Sequence, residues 1–171
     1  MGEKIPLNEP IRILYNGIFD FDGVYRFMYD WIIREGYDFH EKRYKDKPDT
    51  HGGSEAEIEW ECDRKETEYI KQHLFFYFHT RDAVEVEVVV NGVKKTMTKA
   101  RLEIRLSCFL ELDWQNRFKG KISKLFGELL MKKILKWEWI LKYGDDLYYR
   151  VYGLGEQVKT FLNMSTDKGA Y

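Results

Sequence analysis

From Ala100 to Trp114 every even-numbered residue is apolar: Ala100, Leu102, Ile104, Leu106, Cys108, Leu110, Leu112 and Trp114. Arg101, Glu103, Arg105, Ser107 and Glu111 occupy odd positions, with Phe109 among them. Alternate side chains of a strand share a face, whereas a helix gathers residues three and four apart. Such a run can only be a long strand with one face on a core. The segment before it shows the same parity through Ile70, Leu74, Phe76, Phe78, Val84, Val86 and Val88, and Asn91-Gly92 separates the two as a turn.

Residues paired across a hairpin share a face, so the even positions of one arm must meet the even positions of the other. A two-residue loop closed by Val90 and Val93 would pair even with odd. Parity therefore predicts a bulge at Asn91-Gly92, with Gly92 at positive φ. Two registers satisfy it. Pairing Val89 with Val93 sets Glu87 against Lys95, His79 against Glu103, Lys71 against Glu111 and Arg81 against Arg101; a shift by two sets Arg81 against Glu103. Each arm is about 20 residues, roughly 65 Å at ~3.3 Å per residue, so a bend is expected at Arg81-Asp82-Ala83, where alternation falters.

The remaining segments complete the pattern. Residues 11–16 form a first strand ended by Gly17. Asp20 or Asp22 caps a helix whose apolar face is Val24, Phe27, Met28, Trp31 and Ile32, and Gly36 stops it. Tyr37–Lys45 and Ala56–Asp63 are strands on either side of the loop 47–54. Residues 117–143 carry an apolar stripe at helical spacing. Gly144 ends or kinks that helix, and Asp145 or Asp146 caps a shorter one bearing Leu147, Val151, Leu154, Val158, Phe161 and Leu162. Gly153 and Gly155 lie inside it, and close packing is the expected reason. The fold class is α+β: a curved antiparallel β-meander with an N-terminal β-α unit, a long C-terminal helix and a final shorter helix. One domain spans 1–171, with 1–10 and 165–171 as frayed tails.

Composition narrows the function classes. With 44% apolar and 33% charged residues the chain is not disordered, and a net charge of −1 argues against a dedicated nucleic-acid binder. Cys62 and Cys108 lie in apolar stripes and are expected as buried thiols. The opening Met1-Gly2-Glu3-Lys4-Ile5-Pro6 has no secretory apolar stretch, and no run approaches a membrane span, so the expected compartment is the cytoplasm.

Several candidate sites can be weighed. His73 and His79 lie six residues apart, about 20 Å on a strand, too far for one ion with bonds of about 2 Å. His51 sits in a Gly-rich loop, and His40 with Cys62 makes a two-ligand fragment at best. No metal or cofactor is expected. Glu57, Glu59, Glu61 and Asp63 form a row that is better explained as a solvated sheet face, neutralised by Lys71 on one neighbour and Arg43 and Lys45 on the other, than as catalytic acids. Gly153-Leu154-Gly155 lacks the third glycine and strand context of a nucleotide fingerprint.

The aromatic residues carry more information. Tyr69, His73, Phe75 and Tyr77, joined by Phe109, make the odd face apolar where the even face already is. Both faces therefore need cover, from the chain's own helices or from a second copy as a homodimer.

The element order across residues 11–143 resembles the START-like, or helix-grip, family. That resemblance implies a sheet curved around the final helix, with an apolar cavity for a hydrophobic ligand. Tyr25-Arg26-Phe27-Met28 and Tyr37-Asp38-Phe39-His40-Glu41-Lys42 also resemble segments of uncharacterised archaeal-type proteins, which carry no known activity. The expected function is a non-enzymatic binding or interaction protein, holding an apolar ligand or a protein partner between sheet and helices and lined by Trp60, Phe76, Phe78, Leu106, Phe126 and Leu130. The alternative is a nucleic-acid or ribosome-associated factor using Lys121, Lys124, Lys132 and Lys136 on the basic helix face. No nucleophile–base pair can be assembled, so an enzyme is the less favoured class.

Overall fold

In the computed structural model, which describes residues 3–7, 9–48, 53–90, 93–115 and 136–163, a six-stranded antiparallel sheet carries helices against one face. The elements are β1 (Glu3–Pro6), β2 (Ile11–Phe19), α1 (Phe21–Arg34), β3 (Asp38–Pro48), β4 (Ser54–Lys65), β5 (Ile70–Val90), β6 (Val93–Leu112) and α2 (Lys136–Trp139). A π-helical segment (Ile140–Gly144) then runs directly into α3 (Asp145–Phe161). The strand order is β1-β6-β5-β4-β3, and β2 also pairs with β6, further along the same edge. The first 19 residues thus supply both edge strands beside the last strand: β1 on Phe109–Leu112 and β2 on Thr98–Leu106. Glu3–Pro6 is therefore not a frayed tail; its backbone has a ladder partner in β6.

The parity conflict in the β5–β6 hairpin is resolved in a different place from the one expected. Through the body of the sheet even faces even, with Ile70 opposite Leu112 and Thr80 opposite Leu102. Arg81 pairs with Arg101, and the next pair is Val84 with Lys99, so Asp82 and Ala83 together oppose Ala100. Beyond this bulge even meets odd, and the loop is closed by the pair Val90 and Val93 that strict parity excluded. The first register therefore holds from Ile70 to Arg81 and fails beyond, where Glu87 faces Thr96 rather than Lys95. Asp82 makes the bulge by adopting φ 53, a left-handed conformation that Asp tolerates better than most residues. Its carboxylate accepts a 2.6 Å hydrogen bond from Arg101 Nε. The expected break at Arg81-Asp82-Ala83 is this bulge, while Asn91 and Gly92, where the bulge was expected, lie outside the described residues. Val84, Val89 and Val93 in the distal ribbon are exposed, whereas the even residues Leu74, Phe76 and Phe78 are buried.

Asp20 caps α1, its Oδ1 accepting from Gly23 N at 2.9 Å, and Gly36 ends the helix at φ 76. Val24, Met28, Trp31 and Ile32 bury its inner face, each such side chain contributing about 1.5–3 kcal/mol by leaving water. The end of the chain departs from expectation: neither Asp145 nor Asp146 starts a new capped helix. Gly144 is helical and buried, and the helix passes through it by the π-helical segment. A Cβ on Gly144 would lie 2.8 Å from Leu7 Cδ2, so the glycine there serves close packing rather than a break. Leu147, Val151, Leu154, Val158 and Leu162 belong to the same buried core as Ile13, Ile58, Trp60, Phe76, Ile104 and Leu106. Phe161 is not among them; it is partly exposed and stacks on Phe27.

One polar network crosses this core. Tyr37 Oη donates to Gln72 Oε1 at 2.6 Å, and Arg64 donates to the same oxygen at 3.1 Å and to the Glu35 carbonyl at 2.6 Å. Cys62 and Cys108 are buried free thiols on either side of Leu74, and burial pushes both up to about 12. Among the described residues no helix is long and apolar enough to cross a membrane.

Candidate functional site: the outer sheet face

The sheet register decides which chemistry meets on the face away from the core. Reading from β3 to β2, one row is Lys45, Glu57, His79, Glu103 and Leu14; the row beside it toward the bulge contains Lys47, Glu55, Arg101 and Asn16, with Arg81 beside Arg101. The row on the other side is Arg43, Glu59, Tyr77, Arg105 and Arg12. Strand alternation, which places the hydrophobic set inward, places this charged set outward at the same time.

Glu103 is the hub of the positive side. Only 9% exposed, it accepts from Arg105 Nε at 2.6 Å and from Arg12 Nε at 2.7 Å. Those two guanidinium groups, Arg105 first, hold its carboxyl below the usual carboxylate range against the opposing effect of burial. Arg105 also lies over the Tyr77 ring. His79 is 6% exposed, and its Nε2 lies 2.6 Å from Glu55 Oε1. That contact is the main reason the Glu55 carboxyl is lowered. Arg81 Nε lies 3.4 Å from the same imidazole nitrogen. One nitrogen cannot both donate to Glu55 and accept from Arg81, and the shorter contact to an ionised carboxylate decides it: Nε2 carries the proton. Among the described residues Arg81 therefore has no carboxylate partner.

Two adjoining grooves flank Arg81 and Arg101. One, about 280 Å³, is lined by Arg12, Leu14, Tyr15, Asn16, His79 and Glu103 besides those two arginines. The other, about 320 Å³, runs over Lys47, Ser54, Glu55 and Asp82. The bulge at Asp82 and a second register shift between Ser54 and Ala56 open the sheet surface here.

The residues expected to form sites separate into three groups. Trp60, Phe76, Phe78 and Leu106 do come together, but as core, each 0–1% exposed. Trp60 lies edge-on to Tyr25 and Phe39 and against Phe78. Phe126 and Leu130 lie outside the described residues, as do Lys121, Lys124 and Lys132; of Lys136 only the helical backbone is described. The proposed interface set Tyr69, His73, Phe75, Tyr77 and Phe109 is half-buried. His73 stacks on Phe109 at 4.6 Å and contacts Glu111 at 2.9 Å, Lys4 lies over the Phe109 ring, and Tyr69 packs on Trp139.

The row Glu57, Glu59, Glu61 and Asp63 is neutralised as expected from both neighbours: Arg43 reaches Glu57 and Glu59, and Lys71 reaches Asp63 at 2.6 Å. Lys45, although the register partner of Glu57, makes no ion pair with it; Lys42, at the bulge between Glu41 and Arg43, pairs with Glu61. The residues that sequence reasoning missed are Arg12, Asn16, Arg81 and Arg101. The signal is the Arg81–Arg101 opposition that the first register sets up. No protein-family model matches the chain, and no curated relative was found.

Proposed function

We propose that this chain is a binding protein that takes a small anionic molecule, one bearing a carboxylate or phosphate, in the outer-face groove at Arg81. The observation that carries the reading is the pairing of Arg81 with Arg101 as direct cross-strand partners, with Arg12 lining the same groove. Like charges set directly opposite are destabilising, and an anion bound between them removes that cost. Arg101 is already engaged by Asp82, and Arg12 by Glu103, so Arg81 is the guanidinium with its donors to spare. Arg12, Arg101 and Asn16 offer further donors, and Leu14 offers an apolar wall that is 54% exposed. A planar guanidinium meets a carboxylate or phosphate with two parallel hydrogen bonds, which gives orientation as well as affinity.

An apolar ligand between sheet and helices, as the START-like resemblance implies, would need to displace Trp60, Phe76, Phe78 or Leu106 from contacts that already exclude water. That cost favours the outer face. The test is a titration of the labelled protein with phosphate- and carboxylate-bearing fragments, followed by amide NMR. Shifts are expected at residues 12–16, 79–82 and 101–103, weakened roughly tenfold or more in Arg81→Ala, in line with the loss of a charge-assisted pair. Shifts confined to the inner face, or unchanged in Arg81→Ala, would remove the reading.

A further inference from the structure

We propose a second site on the same face: a divalent metal centre, of the zinc or manganese class, held by Glu55, Glu57 and His79. It does not depend on the anion groove. Glu57 is the direct cross-strand partner of His79, and Glu55 lies two residues along the same strand face. In a regular ladder that second carboxylate would sit one pair further away. Here, beside the register shift between Ser54 and Ala56, the Glu55 side chain reaches diagonally across the ladder to His79 and makes the 2.6 Å contact. One nitrogen and two carboxylate oxygens, one from each residue, all lie within 4.8 Å of one another. Metal–ligand bonds of about 2.0–2.2 Å place such atoms roughly 3–4 Å apart, so small side-chain rotations complete the set.

An imidazole with two carboxylates suits zinc, manganese or ferrous iron rather than magnesium or calcium, which favour all-oxygen sites. His79 is 6% exposed and its ring centroid lies 6.0 Å from that of Tyr77, whereas Glu55 and Glu57 are half-buried. Besides His79, the partners of these carboxylates among the described residues stand further off: Lys47 is 3.5 Å from Glu55, and Arg43 is 3.9 Å from Glu57. The short contact is the one from His79 itself. Metal loading exchanges that contact for coordination. The Nε2 proton leaves to solvent, Nδ1 keeps or gains its own, and Nε2 becomes the ligand. The Arg81 guanidinium beside Nε2 opposes this charge, so it sets an upper limit on affinity.

Isothermal titration of the chelator-stripped full chain with zinc chloride tests the proposal. One zinc per chain is expected, with affinity falling as pH is lowered and at least roughly tenfold weaker in Glu57→Gln and His79→Gln. Arg81→Ala should bind zinc as tightly or more tightly. His73→Gln, which alters a separate His–carboxylate contact with Glu111, should leave binding unchanged. Should His79→Gln fail to fold, the His79 ring nitrogen resonances of the unaltered chain decide: zinc must move Nε2. Absence of zinc binding, an unmoved His79 ring, or equal affinity in Glu57→Gln overturns the metal centre. Persistence of anion binding in that case leaves the groove standing.

Discussion

Arg81 and Arg101 face each other as register partners in β5 and β6, at the last regular pair before the sheet is interrupted at Asp82. Two arginine side chains thereby leave the outer face from directly paired positions. The next residue both breaks the register and supplies the carboxylate that engages one of them.

The bulge predicts an unusual ordering of substitutions at Asp82. With φ 53, a β-branched residue is strained by about 1–2 kcal/mol. Asp82→Gly loses an exposed ion pair worth little, and gains relief of the left-handed backbone. Urea denaturation should therefore find Asp82→Gly close to the parent and Asp82→Val lower by about 1–2 kcal/mol. Equal stability of the two variants would show that the backbone strain is not there.

The core network predicts a second ordering. Tyr37→Phe removes one donor from Gln72 Oε1 while Arg64 still serves it, so a loss of about 1 kcal/mol is expected. Gln72→Leu strips the acceptor from both Tyr37 and Arg64, although it also removes a buried amide nitrogen, Gln72 Nε2, that has no partner. The net loss should be about 1–3 kcal/mol, larger than for Tyr37→Phe in the same denaturation series.

His73 makes stability fall on mild acidification. Burial lowers its pKa below the ordinary 6.5, and the Glu111 carboxylate opposes that only in part. The unfolded chain therefore takes up a proton at His73 near pH 6.5, while the folded chain resists until lower pH. Stability from this group is present above about pH 6.5 and is lost as pH falls toward the folded pKa. Unfolding free energies measured from pH 7.5 to 5.5 should decline, and His73→Phe should flatten that decline. Below it, the lowered carboxyls of Asp20, Glu55 and Glu103 add a further loss as pH falls through the carboxylate range.

Three helical glycines should respond with different signs. A Cβ on Gly153 meets nothing within 4 Å, so Gly153→Ala should stabilise by about 0.5–1 kcal/mol. On Gly155 it would make ordinary contacts at 3.5 Å to Ile11 and 3.7 Å to Leu106, so Gly155→Ala should also be tolerated. On Gly23 it would lie 2.7 Å from Oδ2 of the capping Asp20 carboxylate and 2.9 Å from Phe161, so Gly23→Ala should lower the melting temperature. Thermal unfolding of the three variants checks the set.

Much of the fold was legible because alternation and helical spacing are strong local signals. Leu102, Ile104 and Leu106 fixed one face of β6, and Val24, Met28 and Trp31 fixed the buried side of α1. The interruption at Asp82 was visible as faltering alternation, but parity alone could not say whether the correction lay there or in the turn. Either place restores the even pairing of Leu74 with Cys108. The strand Glu3–Pro6 was missed because four residues carry too little period to stand out, and its order comes from the ladder of β6. The candidate site was hidden for another reason. Glu55, Arg81 and Arg101 are far apart in sequence and charged, so each alone resembles a solvated strand position. Only the register and two bulges bring them together.

The most direct measurement of the central claim is the amide NMR titration of Arg81→Ala beside the parent with inorganic phosphate and a simple phosphate monoester. Saturable shifts are expected in the parent, centred on Asn16, Arg81 and Arg101, with at least a roughly tenfold weaker midpoint in the variant. Identical titrations for the two proteins, or shifts centred on the core around Trp60 and Phe76, would contradict it.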